Sequence, residues 1–244
     1  MRSLSTAALA LFAGFVVTFA PAAEAATTGS GRVATESRAV GDFDAIAAAG
    51  PIDISIRQGA QEGVSVTADD NLLPLIETVV EAGAGGRTLA IRFRRGERIS
   101  SHKTIKVTVD VIRLTSLATS GSGDVTVESL KTPSLKLSLS GSSDARLRSL
   151  ETGAFEIRIS GSGDVFAAGT AKSVKLGIAG SGDADLAGLT ADEVSVRIAG
   201  SGDASVTANK ALDVSIAGSG DVTYGGAVGA VKASLAGSGS VNRR

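Results

Sequence analysis

The chain contains the stretch Ser120-Gly121-Ser122-Gly123-Asp124, and the Gly-Ser-Gly-Asp part of it returns six more times, with small changes. The copies follow one another at steps of 20, 20, 19, 20, 18 and 19 residues. A period near twenty residues is typical of a solenoid, in which stacked units bury a shared core that one unit could not bury alone. The copies end at Asp124, Asp144, Asp164, Asp183, Asp203, Asp221 and Ser240.

Apolar and polar residues alternate on both sides of each of these motifs. In the segment Leu135–Leu139 the leucines alternate with Lys136 and Ser138, and Val165 and Ala167 alternate in the same way after Asp164. Alternation with a period of two predicts a strand with one buried face. Each repeat is therefore predicted to be a strand, a corner, a short strand and a loop. The loop is placed where the repeats differ in length, because variable length is typical of a surface connection.

The repeat predicts an all-β fold, a right-handed parallel β-helix (solenoid) of about seven coils of 18–20 residues. Equivalent strands would pair in parallel about 4.8 Å apart, which gives a rod of roughly 34 Å. The hand follows from the general rule for crossover connections. Residues 114–244 are assigned to the repeat β-helix, and residues 40–113 to an irregular β-rich N-terminal cap.

The corner residues have separate predicted roles. The first glycine is present in all seven copies, which predicts a positive φ or a close approach of backbone from the next coil. The second glycine is replaced once, by Ser143, so its site is expected to be less demanding. The aspartate is expected to accept hydrogen bonds from nearby backbone N–H groups.

Composition excludes several classes of function. The chain of 244 residues has 24 basic and 25 acidic residues, so there is no basic field to attract nucleic acid or an anionic membrane. Aromatic residues make up 3% and tryptophan is absent, which disfavours sites built on base or sugar stacking. The absence of cysteine excludes disulfides and a lipid attached through cysteine.

The N-terminus has the pattern of a secretory signal peptide over residues 1–25. Arg2 supplies the positive charge, Ala7–Ala20 the apolar core, and Ala23-Glu24-Ala25 a small-residue cleavage site. An uncleaved anchor is the alternative, but the apolar run is short for a spanning helix. Residues 26–39 are small and polar and are interpreted as a linker. The mature protein is expected to be exported, to the periplasm, the cell surface or the medium.

Several segments resemble a known family. Gly41–Ile46, Gly50–Ile54, Asn71–Pro74 and Leu89–Phe93, followed by the repeats, are similar to the auto-transporter adhesin head domain called GIN (DUF2807). The resemblance covers roughly residues 40–240. It implies an exported bacterial protein with a β-helical fold and an adhesin-like role, and it brings no catalytic residues.

The repeated aspartates are the one constellation that could carry chemistry. Carboxylates about 4.8 Å apart repel each other by roughly 1 kcal/mol per neighbour in water. Hydrogen bonds within the turn are the favoured explanation of what offsets this repulsion, and bound Ca²⁺ is the alternative. Calcium-binding β-helix motifs recur every nine residues, however, in contrast to the longer step here. The candidate metal ligands are Asp124, Asp144, Asp164, Asp183, Asp203 and Asp221.

Enzymatic functions fit the pattern less well. Some glycoside hydrolases use a pair of carboxylates, but a catalytic pair should occur at a single coil and not in every one. The only histidine, His102, lies in a polar loop and is expected to be solvated. We therefore predict no enzyme, no catalytic residues and no cofactor other than the Ca²⁺ alternative. A carbohydrate-active enzyme remains the least favoured option.

The predicted partners are a glycan or a cell-surface protein. Lys136, Arg158, Lys175 and Arg197 face outward and form either a solvated face or a stripe for an acidic glycan or protein. The last coil has free strand edges, which either Arg243 and Arg244 protect or a second copy of the chain covers. The predicted function is adhesin-like recognition or a structural role in the envelope, with a calcium-binding structural module as the alternative.

Overall fold

The computed structural model describes residues 26–83 and 86–244, so the predicted signal peptide lies outside the described residues. One 3₁₀ turn, Leu73–Leu75, accompanies the strands. The strands are β1 Thr27–Thr28, β2 Val33–Arg38, β3 Ala45–Gly50, β4 Ile52–Gln58, β5 Gly63–Asp69, β6 Ile76–Gly83, β7 Gly86–Phe93, β8 Ile99–Ser100, β9 Ile105–Val111, β10 Ser116–Gly121, β11 Val125–Val127, β12 Leu130–Gly141, β13 Ala145–Gly161, β14 Val165–Gly180, β15 Ala184–Gly200, β16 Ala204–Gly218, β17 Val222–Gly225, β18 Ala230–Gly237 and β19 Val241–Arg243.

Strands of successive repeats pair in parallel and in the register that the sequence period predicts. Leu137 pairs with Ile157, and Ile157 pairs with Leu176 in the following coil. The corner glycines stack in the same way, with Gly141 against Gly161 and Gly161 against Gly180. The predicted β-solenoid is confirmed, with about six turns of stacked parallel coils.

The alternating residues fill the interior, as predicted. Leu135, Leu137 and Leu139 are 1%, 0% and 2% exposed, and the corresponding residues of the next coils are equally buried. Fully burying a side chain of this size contributes about 1.5–3 kcal/mol. The core is therefore a continuous apolar column that runs through the stack as far as Leu212, Val214 and Ile216, which are still buried.

The segment that we expected to be a surface loop is instead a third strand-forming face. Leu130–Thr132 pairs in parallel with Leu150–Thr152, and Thr190 and Ala191 continue this column further along the stack. Leu130 and Leu150 are each 1% exposed, so they belong to the core. The repeats differ in length, and these differences appear as irregularities of the strand register at the start of this face, for example between Leu147 and Leu150.

Both glycines of the corner before Asp203 are required by space. Gly200 has a φ of 141°, and a Cβ atom there would lie 2.1 Å from the carbonyl oxygen of Gly180. Gly202 has no positive φ, yet its Cβ would lie 2.1 Å from the carbonyl oxygen of Gly182. The expectation that the second glycine is less demanding is therefore wrong for this coil, because backbone of the previous coil occupies the place of a side chain.

The segment assigned to the cap contributes a further coil that the sequence analysis missed. Gly50 of β3 pairs with Gly121, and Ile54 of β4 pairs with Val125. Gly50–Asp53 therefore forms a corner beneath the first recognised one. Strands β7 and β9 pair in parallel with β3 and β4 and add another layer.

Antiparallel strands cover this end of the solenoid. Strand β6 pairs with β7, strand β5 pairs with β9, and β2 pairs with β5. Because these strands run against the parallel direction, they end the parallel columns. Such a cover is what repeat folds need at their ends.

At the C-terminal end, β18 and β19 pair with the preceding coil on one side, and no described strand pairs with their other edge. Val231 and Leu235, predicted to face inward, are 42% and 48% exposed. The Arg244 guanidinium donates to Thr207 Oγ1 at 2.6 Å and therefore reaches back along the stack. Whether Arg243 and Arg244 protect this edge or a second copy of the chain covers it stays a prediction.

Candidate functional site

The aspartates form a ladder in which each carboxylate accepts a hydrogen bond from the next coil. The donor is the backbone N–H of the residue at the equivalent corner position, for example Asp203 N–H to Asp183 Oδ1 at 2.8 Å. The first rung joins Asp53 of the additional coil to Asp124 at 3.1 Å. The other rungs are Asp124–Asp144 at 3.3 Å, Asp144–Asp164 at 3.0 Å, Asp164–Asp183 at 2.8 Å, Asp203–Asp221 at 2.7 Å and Asp221–Ser240 at 2.8 Å.

Main-chain bonds complete each rung of the ladder. The backbone N–H of Val125 donates to the carbonyl oxygen of Asp144 at 2.8 Å, and Ala145 donates in the same way to Asp164. Each aspartate thus binds the neighbouring coil through its carboxylate on one side and its carbonyl on the other. The role in turn structure that the sequence favoured accounts for these contacts.

Opposite charges offset part of the repulsion along the ladder. The Arg146 guanidinium lies 4.0 Å from Asp124 Oδ2 and 3.7 Å from Asp144 Oδ2. In residues 26–83 and 86–244, no three His, Asp or Glu side chains converge as metal ligands would. The six candidate ligands stand in one column, and Ca²⁺ binding to them stays a prediction.

A cleft opens beside the first corner, at a place that the sequence analysis did not identify. Its volume is about 540 Å³. One wall is the additional coil with its neighbouring corner, and the other wall is the polar loop before β9. The lining includes Asp53, Phe93, Ser100, His102, Lys103 and Ser122.

The loop wall of the cleft is held by a buried carboxylate. Asp69, which is 1% exposed, accepts the Ser101 hydroxyl at 2.7 Å and the backbone N–H of Gly31 at 3.1 Å. The Ser101 hydroxyl in turn accepts the backbone N–H of Lys103 at 3.0 Å. Since buried carboxylates must be hydrogen-bonded, this arrangement fixes both the loop and the N-terminal segment.

The N-terminal segment supports the same wall from outside. Strand β1 pairs in parallel with β8, and Gly29 N–H donates to the carbonyl oxygen of Ser100 at 2.8 Å. The segment is itself held at Asp70, which accepts the Ser30 hydroxyl and pairs with Arg32 at 2.9 Å. The hydrogen bond from Ser30, together with the charge of Arg32, lowers the pKa of Asp70 below its usual value.

His102 is exposed, as expected for a solvated loop residue, and the loop places it in the lining of this cleft. The sequence carried one usable signal for the site. Gly50-Pro51-Ile52-Asp53 has the spacing of a corner, although Pro51 and Ile52 replace the usual serine and glycine. Recognising it would have placed a carboxylate at the end of the ladder beside the polar loop.

The four outward basic residues do not form one continuous stripe. Lys136 and Lys175 share a column with Glu156 between them, whereas Arg158 and Arg197 lie in the neighbouring column. Arg158 also pairs with Glu156. The mixed charges indicate a solvated face more than a site for an acidic ligand.

The sequence matches the family model "Putative auto-transporter adhesin, head GIN domain" over residues 42–228. The chain therefore belongs to this family, as the resemblance predicted. No curated protein matches the chain. The described residues contain no helix that is long and apolar enough to cross a membrane.

Solved structures share the fold over most of the chain. A "putative adhesin" from Bacteroides fragilis superposes with a TM-score of 0.83 at 24% identity, covering 89% of this chain and 100% of its own. A "putative lipid binding protein" from Parabacteroides distasonis gives a TM-score of 0.74 at 26% identity, covering 90% of this chain and 100% of its own. A "putative adhesin" from the same organism gives 0.70 at 25% identity with the same coverage.

Proposed function

We propose that this protein is an exported, non-enzymatic recognition protein that acts as an adhesin or as a structural component of the envelope. The observation that carries the proposal is membership of the adhesin head family over residues 42–228, on a scaffold whose outer side chains stand in fixed columns. Recognition needs a surface that is already ordered, because ordering it on binding would cost free energy.

The stacked coils supply such a surface. Strands β13, β14 and β15 are 17, 16 and 17 residues long and pair almost throughout, so their backbone has little freedom to move. Outward residues such as Arg158 and Arg197 therefore keep fixed spacings along the rod. A glycan or a cell-surface protein is the partner class that this preformed surface suits.

Deletion and complementation in the native bacterium would test the proposal. We expect loss of attachment to host or bacterial surfaces, or a leaky envelope, with recovery when the wild-type gene returns. The complementing gene should also be supplied without residues 1–25, which are predicted to direct export. Recovery with that form, or unchanged adhesion and envelope integrity after deletion, would contradict the proposal.

Two secondary points concern the scaffold itself. The six aspartates share one column, and Ca²⁺ binding there, which would make the protein a calcium-dependent module, is the alternative to their role in the corner turns. The free edge of β18, with Val231 and Leu235 exposed, suits pairing with a second copy of the chain. The dependence of Tm on Ca²⁺ tests the first, and sedimentation velocity tests the second.

A further inference from the structure

We propose that the cleft beside the first corner binds an acidic sugar residue of a glycan. The inference deepens the proposed function and rests on it for the biological role of the ligand. Its volume of about 540 Å³ is in the range of small-molecule sites, which span roughly 300–1,000 Å³. Three features of the lining indicate the chemistry of the occupant.

The first feature is an aromatic wall next to a backbone with no side chain. The Phe93 ring packs over Gly50, where a Cβ atom would lie 2.9 Å from the ring carbon Cε2. Phe93 is half-buried and also lines the cleft. The face of an aromatic ring carries partial negative charge, so it attracts the weakly positive C–H face of a pyranose.

The second feature is a set of oriented polar groups for hydroxyls. The Asp53 carboxylate is held at the corner by the N–H of Asp124 at 3.1 Å, so its direction is fixed before any ligand arrives. Ser100 and Ser122, whose side chains carry hydroxyl groups, lie on opposite walls of the same cleft. Carboxylate oxygens accept and serine hydroxyls both donate and accept, which matches the hydroxyl groups of a sugar.

The third feature is a positive charge on the loop wall. Lys103 is exposed, lines the cleft, and takes part in no ion pair within the described ranges. His102 lies beside it on the same wall. A ligand carboxylate placed against Lys103 would gain a charge-assisted hydrogen bond. A neutral sugar would leave the ammonium group without this partner, and for this reason we assign the site to acidic sugars.

Besides these three features, the fixed walls of the cleft lower the free-energy cost of binding. The loop wall is fixed by the pairing of β1 with β8 and by the bond from Ser101 to the buried Asp69. The opposite wall is the stacked solenoid. Neither wall has to become ordered when a ligand enters, so the free energy of the contacts is not spent on immobilising the protein.

The experiment measures binding of sugars to the mature full-length protein by isothermal titration calorimetry and by saturation-transfer NMR. The probes are glucuronic acid and N-acetylneuraminic acid, with glucose and galactose as neutral controls. The variant Lys103→Gln removes the charge at an exposed loop position, and Lys136→Gln removes an equivalent charge on the outer sheet face. Circular dichroism confirms that both variants are folded.

We expect the acidic sugars to bind at least about tenfold more tightly than the neutral ones, which corresponds to one charged hydrogen bond. Lys103→Gln should remove this preference, and Lys136→Gln should leave it unchanged. Equal binding of acidic and neutral sugars, no binding of either, or equal affinities for the two variants would overturn the inference.

The outcome separates this inference from the proposed function. If deletion abolishes attachment but the purified wild-type protein binds no acidic sugar, recognition occurs elsewhere and only the cleft is misassigned. If the purified protein binds acidic sugars but deletion changes neither attachment nor the envelope, the cleft is a sugar site and the proposed cellular role is wrong.

Discussion

The Oδ1 atom of Asp183 accepts the backbone N–H of Asp203, one coil further along the solenoid, at 2.8 Å. The same relationship repeats at every corner from Asp53 to Ser240, so a carboxylate and a backbone N–H from neighbouring coils are joined throughout the stack. The aspartate carboxylate thus joins neighbouring coils at the corner, as backbone hydrogen bonds join them along the strands. It accepts a backbone N–H group that strand pairing does not satisfy.

Replacing Asp183 tests this role directly. Asp183→Ala should lower the free energy of unfolding by about 1–2 kcal/mol, because the N–H of Asp203 loses its acceptor. Asp183→Asn keeps an acceptor oxygen and removes the repulsion from the neighbouring carboxylates, so it should cost clearly less. Urea unfolding followed by circular dichroism would measure both values. An alanine variant as stable as the wild type, or an asparagine variant as unstable as the alanine variant, would contradict the prediction.

The glycines of one corner provide a second test. Gly202→Ala places a Cβ atom 2.1 Å from a carbonyl oxygen of the previous coil, although Gly202 has no positive φ. We expect it to destabilise the protein by more than about 1 kcal/mol, since backbone of a packed coil cannot move aside cheaply. Thermal unfolding gives the measurement.

Gly177→Ala is the matched control for that substitution. Its Cβ would lie 3.8 Å from the carbonyl oxygen of Ile157, an ordinary contact on the outer face of the same sheet. Alanine there should be neutral or slightly stabilising, because it restricts the unfolded chain. If both alanine variants melt alike, the close approach at the corner does not determine stability.

The regular part of the fold follows from the sequence because the alternation within strands and the spacing of the corners predict the same arrangement. Alternation with a period of two decides which side chains point inward, and the corner spacing decides which residues of neighbouring coils meet. The pairing of Leu137 with Ile157 is the direct result, since they are separated by one repeat. No contact from outside the repeat is needed to set this register.

The third face was missed because its period is broken. Leu150 follows Asp144 by six residues, whereas its partner Gly169 follows Asp164 by five and has no apolar side chain, so neither the distance from the corner nor the residue type is constant in this column. A variable step without a constant corner motif is also what a surface loop would show. Only the burial of the side chains distinguishes a core face from a surface loop, and burial depends on the packing of the whole coil.

The cleft was missed for a related reason. Its first corner is joined to the ladder by Asp53 and Asp124, which are 71 residues apart, and its loop wall is held by Asp69 and Ser101, 32 residues apart. The first pair continues the ladder across an interruption of the repeat, and the second pair belongs to no repeated pattern. Such contacts arise from the way the cap folds back on the solenoid, and the only local trace of them is the corner spacing of Gly50–Asp53.

Thermal unfolding with EDTA and with millimolar Ca²⁺ decides between the two roles of the ladder. A ligand at 100 times its Kd would stabilise the protein by about 2.7 kcal/mol. We expect no shift in Tm, because the ladder carboxylates stand in a column and already accept backbone N–H groups. A clear rise in Tm with Ca²⁺, lost on adding EDTA, would make the protein a calcium-dependent module.

The pairing of the N-terminal segment with Asp70 gives a pH-dependent prediction. Because its pKa is lowered in the folded protein, mainly by the Ser30 hydroxyl, the ionised group stabilises the fold above the unfolded pKa. This contribution is lost as the pH falls from about 4 through the lower folded value. Asp70→Asn should thus be less stable than the wild type at pH 6, and the difference should close on acidification. A difference that is constant from pH 6 to pH 2.5 would contradict this role.

The free edge of β18 leads to a prediction about association. Val231 and Leu235 are exposed there beside unpaired backbone groups, and Arg244 is turned back towards Thr207. Such an edge can add a strand from another chain, so the mature protein should form dimers in sedimentation velocity as its concentration rises. Leu235→Asp should shift the protein to monomer, because a charge on the paired edge would have to be desolvated.

Ile112→Asp is the matched control, because it alters a side chain of similar exposure away from this edge and should leave association unchanged. A wild-type protein that is monomeric at every concentration, or equal effects of the two substitutions, would show that β18 does not pair with a second copy.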